Sequence, residues 1–274
     1  MPLLPPRTEK LAVAATAPYK KTLLLLSVQL LIVSFCSAQT YSQLHASDTI
    51  TIHSKTLQAE RKVIVTRSGK IKDGDRNNNC ILYMDADDRN INGIILQSAN
   101  NLLANDEIPA SYLIGIMQVD RNNELLEKEK LLRFLTEELI PELTGKYHIA
   151  SQITIAGHSF GAYFATYAFL KNNSLYHSCI AISPAYWPNE SDVLHLLDQT
   201  RNSIPGNFFL AVGDKRWDEI SLRDGVIKAK NILKDQKKIR FIFDDLRGFS
   251  HNATPTPGFA LGLSFIYDEW EWGN

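Results

Sequence analysis

Gln152-Ile153-Thr154-Ile155-Ala156-Gly157-His158-Ser159-Phe160-Gly161 passes from a short apolar, β-branched run to a serine with glycines two residues away on either side. From there it enters helical periodicity. The pattern is Gly-x-Ser-x-Gly in a strand–turn–helix setting. A serine at such a bend takes a strained backbone conformation, and a side chain at either glycine position would clash across the turn. The bend also sets the hydroxyl at a helix amino end, where main-chain N–H groups favour developing negative charge. Ser159 is therefore the candidate nucleophile rather than a plain turn serine. Phe160, directly after it, is the candidate for one oxyanion-hole N–H.

Working outward, apolar runs at 80–84, 112–117, 179–182, 208–212 and 239–243 share the character of 152–156. Each is short, often β-branched, and reads as a strand buried on both faces. Helical spacing of apolar residues fills the intervals at 124–143, 160–170, 192–197, 219–233 and 258–270. Strand alternating with helix predicts a doubly wound parallel sheet. Two alternating runs at 49–53 and 61–66 precede it and read as antiparallel strands, and the Lys-, Asp-, Asn- and Gly-rich stretch 70–79 reads as a surface loop. The expected fold is α/β: an α/β-hydrolase fold with a mostly parallel eight-stranded sheet and helices on both faces. In such sheets the reacting residues lie on loops at the carboxyl ends of the strands.

Composition narrows the function classes. The 274 residues carry a formal net charge of −1, so no basic face points to nucleic acid. Residues 1–38 read as a signal peptide: Lys20 and Lys21, an apolar run at 22–35, then Cys36-Ser37-Ala38 as a small-residue cleavage site. A bilayer span takes about 20 apolar residues, more than this run supplies. The expectation is export, periplasmic or extracellular in a bacterium, with 39–274 as the mature domain and no stable membrane span after removal. The competing reading is an uncleaved anchor. Sequons stand at Asn172, Asn189 and Asn252. A glycan at Asn252 would crowd the candidate base described next, which favours the periplasm over eukaryotic secretion. Cys80 and Cys179 open strand-like runs and are expected to be free, buried thiols. No metal spacing is present, and neither metal nor cofactor is expected.

Chain order in this fold is nucleophile, acid, histidine. Of the histidines after Ser159, His177 precedes a strand, on the wrong edge of the sheet, and His195 falls inside a helical pattern. His251 follows the strand at 239–243 and is the candidate general base. The acid is expected after 208–212, in Gly213-Asp214-Lys215-Arg216-Trp217-Asp218-Glu219. Asp218 leads, with Asp214 and then Glu219 behind it; Asp244 and Asp245 are of second rank. Asp218 is equally suited to capping the helix that follows, and a dyad of Ser159 and His251 alone is the remaining possibility. The second oxyanion-hole N–H is expected near Ala86 or Asp87, after the strand ending at Met84. Tyr186, Trp187 and Trp217 are candidates for a substrate-binding wall, with packing at the sheet edge as the alternative use. His158 is expected to pack beside the bend rather than react.

These residues resemble an esterase family, the one holding esterase D, bacterial feruloyl esterases and siderophore (enterobactin-type) esterases. Leu82-Tyr83-Met84-Asp85-Ala86-Asp87 is similar to its Tyr-x-x-Asp-Gly-Asp turn, with alanine where glycine is usual. Ile114-Gly115-Ile116 followed by Asp120-Arg121 resembles its Val-Gly-Ile…Arg segment. The helix from Phe134 to Pro141 with Tyr147 is similar to the one before its nucleophile. Ser183-Pro184-Ala185-Tyr186-Trp187 resembles its Ser-Pro-x-x-Trp loop. Arg216 stands where the family often has an acid. The resemblance covers most of 54–270 and implies hydrolysis of a small-molecule carboxylic ester through an acyl-enzyme. Acyl transfer to another alcohol, or a binding protein that keeps the fold without turnover, are the competing expectations.

Overall fold

The computed structural model describes residues 42–268; the expected signal sequence lies outside the described residues. Eight strands form one sheet in the order β1-β2-β4-β3-β5-β6-β7-β8. β1 (Asp48–Ser54) and β2 (Ala59–Arg67) pair antiparallel, and β2 runs antiparallel to β4 (Ser111–Ile116). From β4 onward every pairing is parallel, through β3 (Asn78–Tyr83), β5 (Ile149–His158), β6 (Tyr176–Ile182), β7 (Gly206–Lys215) and β8 (Ile239–Ser250). This is the expected α/β-hydrolase plan, with two leading antiparallel strands.

The strands read as apolar runs because both faces are covered. Along β7, Phe208, Leu210 and Val212 enter one core and Phe209 and Ala211 enter the other, the period of two that a strand imposes. On the first face the helix Phe160–Lys171 is buried along 161–170. A helix apolar all round must lie inside. Each fully buried phenylalanine there, such as Phe164 or Phe169, contributes about 1.5–3 kcal/mol of hydrophobic stabilisation. On the other face Pro255–Tyr267 packs Phe259 and Leu263 against Ile180, Ile182 and Phe209.

The sequence reading places no helix at 89–104, yet Arg89–Ala104 is one. Five weak helix formers (Asn90, Asn92, Gly93, Asn100, Asn101) mask the pattern. What makes it fold is Asp88 at the amino end, accepting from the N–H groups of Asn90 (2.8 Å) and Ile91 (3.4 Å), and a buried stripe of Ile91, Ile95, Ala99 and Leu103. The single helix expected at 124–143 is instead Arg121–Leu126, Lys128–Arg133, a π-helical turn Phe134–Leu139, and Ile140–Tyr147. The Ile140 N–H reaches back five residues to the Leu135 carbonyl. Pro141 lacks an N–H and its ring crowds the preceding turn, which widens to admit it. The segment expected to be helical at 192–197 is Pro188–Gln199, with Asn189, Glu190 and Ser191 in left-handed conformation, so the regular turns begin at Asp192.

Cys80 and Cys179 are free and buried, as expected. Burial pushes the Cys80 thiol up to about 12, so it stays protonated and unreactive. Among the described residues no helix is long and apolar enough to cross a membrane.

Candidate active site

Ser159 stands between β5 and the helix Phe160–Lys171 with φ 58° and ψ −122°, a conformation that costs about 1–3 kcal/mol and persists only where its surroundings over-determine it. Here the main chain holds it. The Ser159 N–H donates to the Ile182 carbonyl (3.0 Å), and the Ser159 carbonyl accepts from Tyr163 (3.0 Å) and Ala185 (3.3 Å). The flanking glycines are steric necessities. A Cβ on Gly157 would lie 2.3 Å from the Gly161 main chain, and one on Gly161 would lie 2.8 Å from the Asp85 carboxylate and 2.9 Å from Met84 Cβ.

β8 runs well past the expected 239–243, to Ser250, and pairs with β7 as far as Lys215↔Ser250. This extension is polar because β8 is the sheet's edge. It delivers His251, in the 3₁₀ turn His251–Ala253, to the carboxyl end of the sheet. His251 Nδ1 bonds Asp218 Oδ1 at 2.6 Å. A carboxylate only accepts, so Nδ1 carries the proton and Nε2 is left as the basic nitrogen. Asp218 is fully buried. Its Oδ2 accepts from Ser183 Oγ (2.6 Å) and from the Gly213 N–H (2.8 Å). Burial pushes its carboxyl up, but the bonds from His251, Ser183 and Gly213 outweigh that and hold it below the ordinary carboxylate value. Asp218 makes no side-chain cap to the π-helical turn Asp218–Leu222 that it opens; its hydrogen bonds go to the histidine and the two donors instead.

The other acids are engaged elsewhere. Asp214 accepts from the Gly248 N–H at 2.7 Å. Glu219 lies 3.8 Å from Arg223, and Asp245 takes the same guanidinium at 2.9 Å on both oxygens. Burial raises the Asp244 carboxyl, which has no hydrogen bond to either histidine of the site. His177 lies at the start of β6, the opposite end of the sheet, and His195 lies in the helix Pro188–Gln199.

Ser159 and His251 line one cavity of about 310 Å³, with Asp85, Asp88, Asn90, Arg121, His158 and Asn252 on its polar walls. Among the described residues no hydrogen bond joins Ser159 Oγ to His251. Such bonds are often long without substrate and tighten when it binds. Asp85, itself left-handed at φ 64°, is buried beside the serine bend and takes Arg121 in a bidentate pair at 2.7 and 2.8 Å. Burial raises the Asp85 carboxyl against the pull of Arg121. Sequence reasoning gave neither residue a role, although both fall in the motifs that carry the family resemblance. It also missed Ser183 and Thr254, whose parts depend on contacts 35 and 71 residues apart.

Ala86, Tyr186, Trp187 and Trp217, expected at the site, lie outside the cavity lining. The Ala86 N–H is given to the Ile116 carbonyl at 3.0 Å, so it has no hydrogen left for an oxyanion. Asp87 next to it has no main-chain acceptor among the described residues. Tyr186 is buried, with its hydroxyl 2.8 Å from Thr166 Oγ1; it packs the core and forms no substrate wall. Trp217 is half exposed and outside the cavity lining. Trp187 is likewise half exposed and outside the cavity lining, with its ring 5.7 Å from that of Phe160. Val119, Trp187, Trp217, Ile220 in the π-helical turn and Phe249 near the end of β8 are large apolar side chains exposed at the carboxyl end of the sheet, none of them in the lining of the polar cavity. Among the described residues no group of three or more His, Cys, Asp or Glu is placed to hold a metal ion.

Comparison with known proteins places this architecture. Solved structures of similar fold include a protein of Capnocytophaga ochracea (TM-score 0.71, 17% identity, covering 84% of this chain and 66% of that one). An IroE-like serine hydrolase of Shewanella oneidensis has TM-score 0.71 and 13% identity, covering 83% and 82%. The siderophore hydrolase EstB of Aspergillus nidulans has TM-score 0.67 and 14% identity, covering 82% and 95%. The chain thus spans about two thirds of the first of these. At these identities the likeness is one of fold. No curated protein matches the sequence. The Esterase family model, described as "Putative esterase", matches residues 54–243, more than half of the chain, and the protein belongs to that family.

Proposed function

We propose that this protein is a serine hydrolase that cleaves small-molecule carboxylic esters through an acyl-enzyme on Ser159. The observation that carries the reading is the 2.6 Å bond from His251 Nδ1 to buried Asp218, made at the rim of the cavity that the strained Ser159 also lines. His251 Nε2 takes the Ser159 proton as Oγ attacks the ester carbonyl. The N–H of Phe160, in the first turn of its helix, and that of Asp87 donate to the oxyanion. Asp218 holds the tautomer and stabilises the imidazolium without itself becoming protonated. The tetrahedral intermediate collapses as the C–O bond breaks and His251 returns the proton to the departing alcohol. Water, deprotonated by His251, then attacks the acyl-enzyme and releases the acid. The polar cavity is matched to the ester and its hydrophilic substituents, and exposed Trp187 and the other apolar side chains at that end of the sheet to a bulkier group beyond. We also infer export of a mature domain 39–274, which rests on the pattern of residues 20–38 alone.

The test is a panel of esters varied in acyl and alcohol part, assayed for free acid with and without a competing alcohol acceptor. Release of acid as the main product is expected. If the acyl group goes mainly to the added alcohol, the protein is a transferase; if no ester is turned over, the hydrolase reading fails.

A further inference from the structure

His158 has no part in the chemistry above, yet it is buried against the base. Its ring centroid lies 4.3 Å from that of His251, the planes tilted by 37°. Its Nε2 lies 3.0 Å from the His251 carbonyl oxygen. A carbonyl only accepts, so Nε2 carries the proton and donates. Burial and the neighbouring His251 push the pKa of His158 down to about 3, so it remains a neutral imidazole in working conditions.

The same carbonyl has a second donor. Thr254 Oγ1 lies 2.8 Å from it and 2.9 Å from Ser183 Oγ, which in turn lies 2.6 Å from Asp218 Oδ2. Two hydroxyl hydrogens thus face three contacts. The carboxylate, being charged, claims the hydrogen of Ser183, and Thr254 Oγ1 donates to the His251 carbonyl at 2.8 Å, with Ser183 Oγ the other acceptor in its reach. Both lone pairs of that oxygen are then occupied, one by His158 and one by Thr254. The stretch of β8 that brings His251 in is exposed from Arg247 to Phe249 and sits on the sheet's edge. Its own pairing with β7 is interrupted by a register shift between Gly213 and Lys215. The ladder is thus irregular just before the base and its last pair is Lys215↔Ser250, so the two donors hold the main chain at the residue where the strand's pairing has ended.

We propose that His158 is a positioning residue: with Thr254 it clamps the main-chain carbonyl of His251 and fixes the base relative to Ser159. The residue before the nucleophile is thereby bonded to the base across 93 positions of sequence, so the two reacting groups share one anchor. This rests on His251 being the general base, and the experiment separates the two claims.

The variants are His158→Phe, which keeps the ring and removes the donor, His158→Gln, whose amide N–H reaches about as far as Nε2, Thr254→Val, and the His158→Phe/Thr254→Val pair. Each is measured for kcat and KM on an ester the wild type hydrolyses, and for the downfield proton resonance of His251 Nδ1–H. His158→Phe is expected to lower kcat about tenfold, the scale of a slight misplacement of a reacting group, with KM nearly unchanged and the resonance broadened or shifted. His158→Gln is expected to restore most of both. The double variant is expected to lose more than the product of the single losses, because either donor alone still holds the carbonyl. Wild-type kcat and an unmoved resonance in His158→Phe would overturn the proposal, as would equal losses in His158→Phe and His158→Gln. Should His158→Phe not fold, Thr254→Val carries the same comparison. If no ester is turned over, the hydrolase reading falls by itself, while the Nδ1–H resonance still decides for or against the clamp.

Discussion

Ser159→Ala is expected to lower kcat on any ester the wild type hydrolyses by about 10⁶-fold, the scale seen when a serine nucleophile is deleted, with the melting temperature little changed. The bend is held by main-chain bonds to Ile182, Tyr163 and Ala185, none of which involves the hydroxyl. Among the described residues Ser159 Oγ makes no hydrogen bond, so its removal leaves no orphaned partner and no buried polar cost. Alanine keeps the same strained φ, and the fold pays the same strain as before. The loss should therefore lie in kcat, with KM nearly constant, because every other side chain lining the cavity is untouched. A residual rate near that of wild type would mean that another group attacks the ester.

Asp218→Asn is expected to cost about 10⁴-fold in kcat, more than its near-identical shape suggests. Asp218 is an acceptor on three sides: His251 Nδ1–H, the Ser183 hydroxyl and the Gly213 N–H. Asparagine has one oxygen and one NH₂. If the oxygen stays with Ser183 and Gly213, the NH₂ meets His251 Nδ1, which must then accept. The ring proton moves to Nε2, and the base is occupied. The same substitution has a signature in stability. The folded-state pKa of Asp218 is depressed, so its stabilising contribution is present above the ordinary carboxylate range and is lost as pH falls through the lower folded-state value. Melting temperatures of wild type and variant, followed from neutral to acid pH, are expected to converge; a gap that stays constant would show that the ionised form contributes nothing to stability.

How far the site was legible depends on whether its information is local. The Ser159 bend is written in five adjacent residues because the steric demand acts across two positions on either side. His251 follows from chain order once the strands are counted. Asp218 stays ambiguous from sequence because capping and orienting a histidine ask for the same residue type, and only the burial of Ser183 and Gly213 beside it tells the uses apart. For Ala86 the information is likewise distant: its N–H is taken by β4 through the Ile116 carbonyl, thirty residues away. Tyr186 looks like a pocket residue on its loop until Thr166 meets its hydroxyl. In the fold, periodicity finds the strands because both faces are apolar. The helix Arg89–Ala104 escapes it because the four-residue spacing of Ile91, Ile95, Ala99 and Leu103 is diluted by asparagines whose own preference is for turns.

The most direct measurement is the site of covalent labelling by a fluorophosphonate. In folded wild-type protein the proposed mechanism predicts that Ser159 Oγ attacks phosphorus, fluoride leaves, and the proton passes to His251. Peptide mapping by mass spectrometry is predicted to find one phosphonyl adduct, on Ser159, and to find it strongly reduced in His251→Ala. An unlabelled Ser159 in folded protein, or an adduct confined to another residue, would contradict the account.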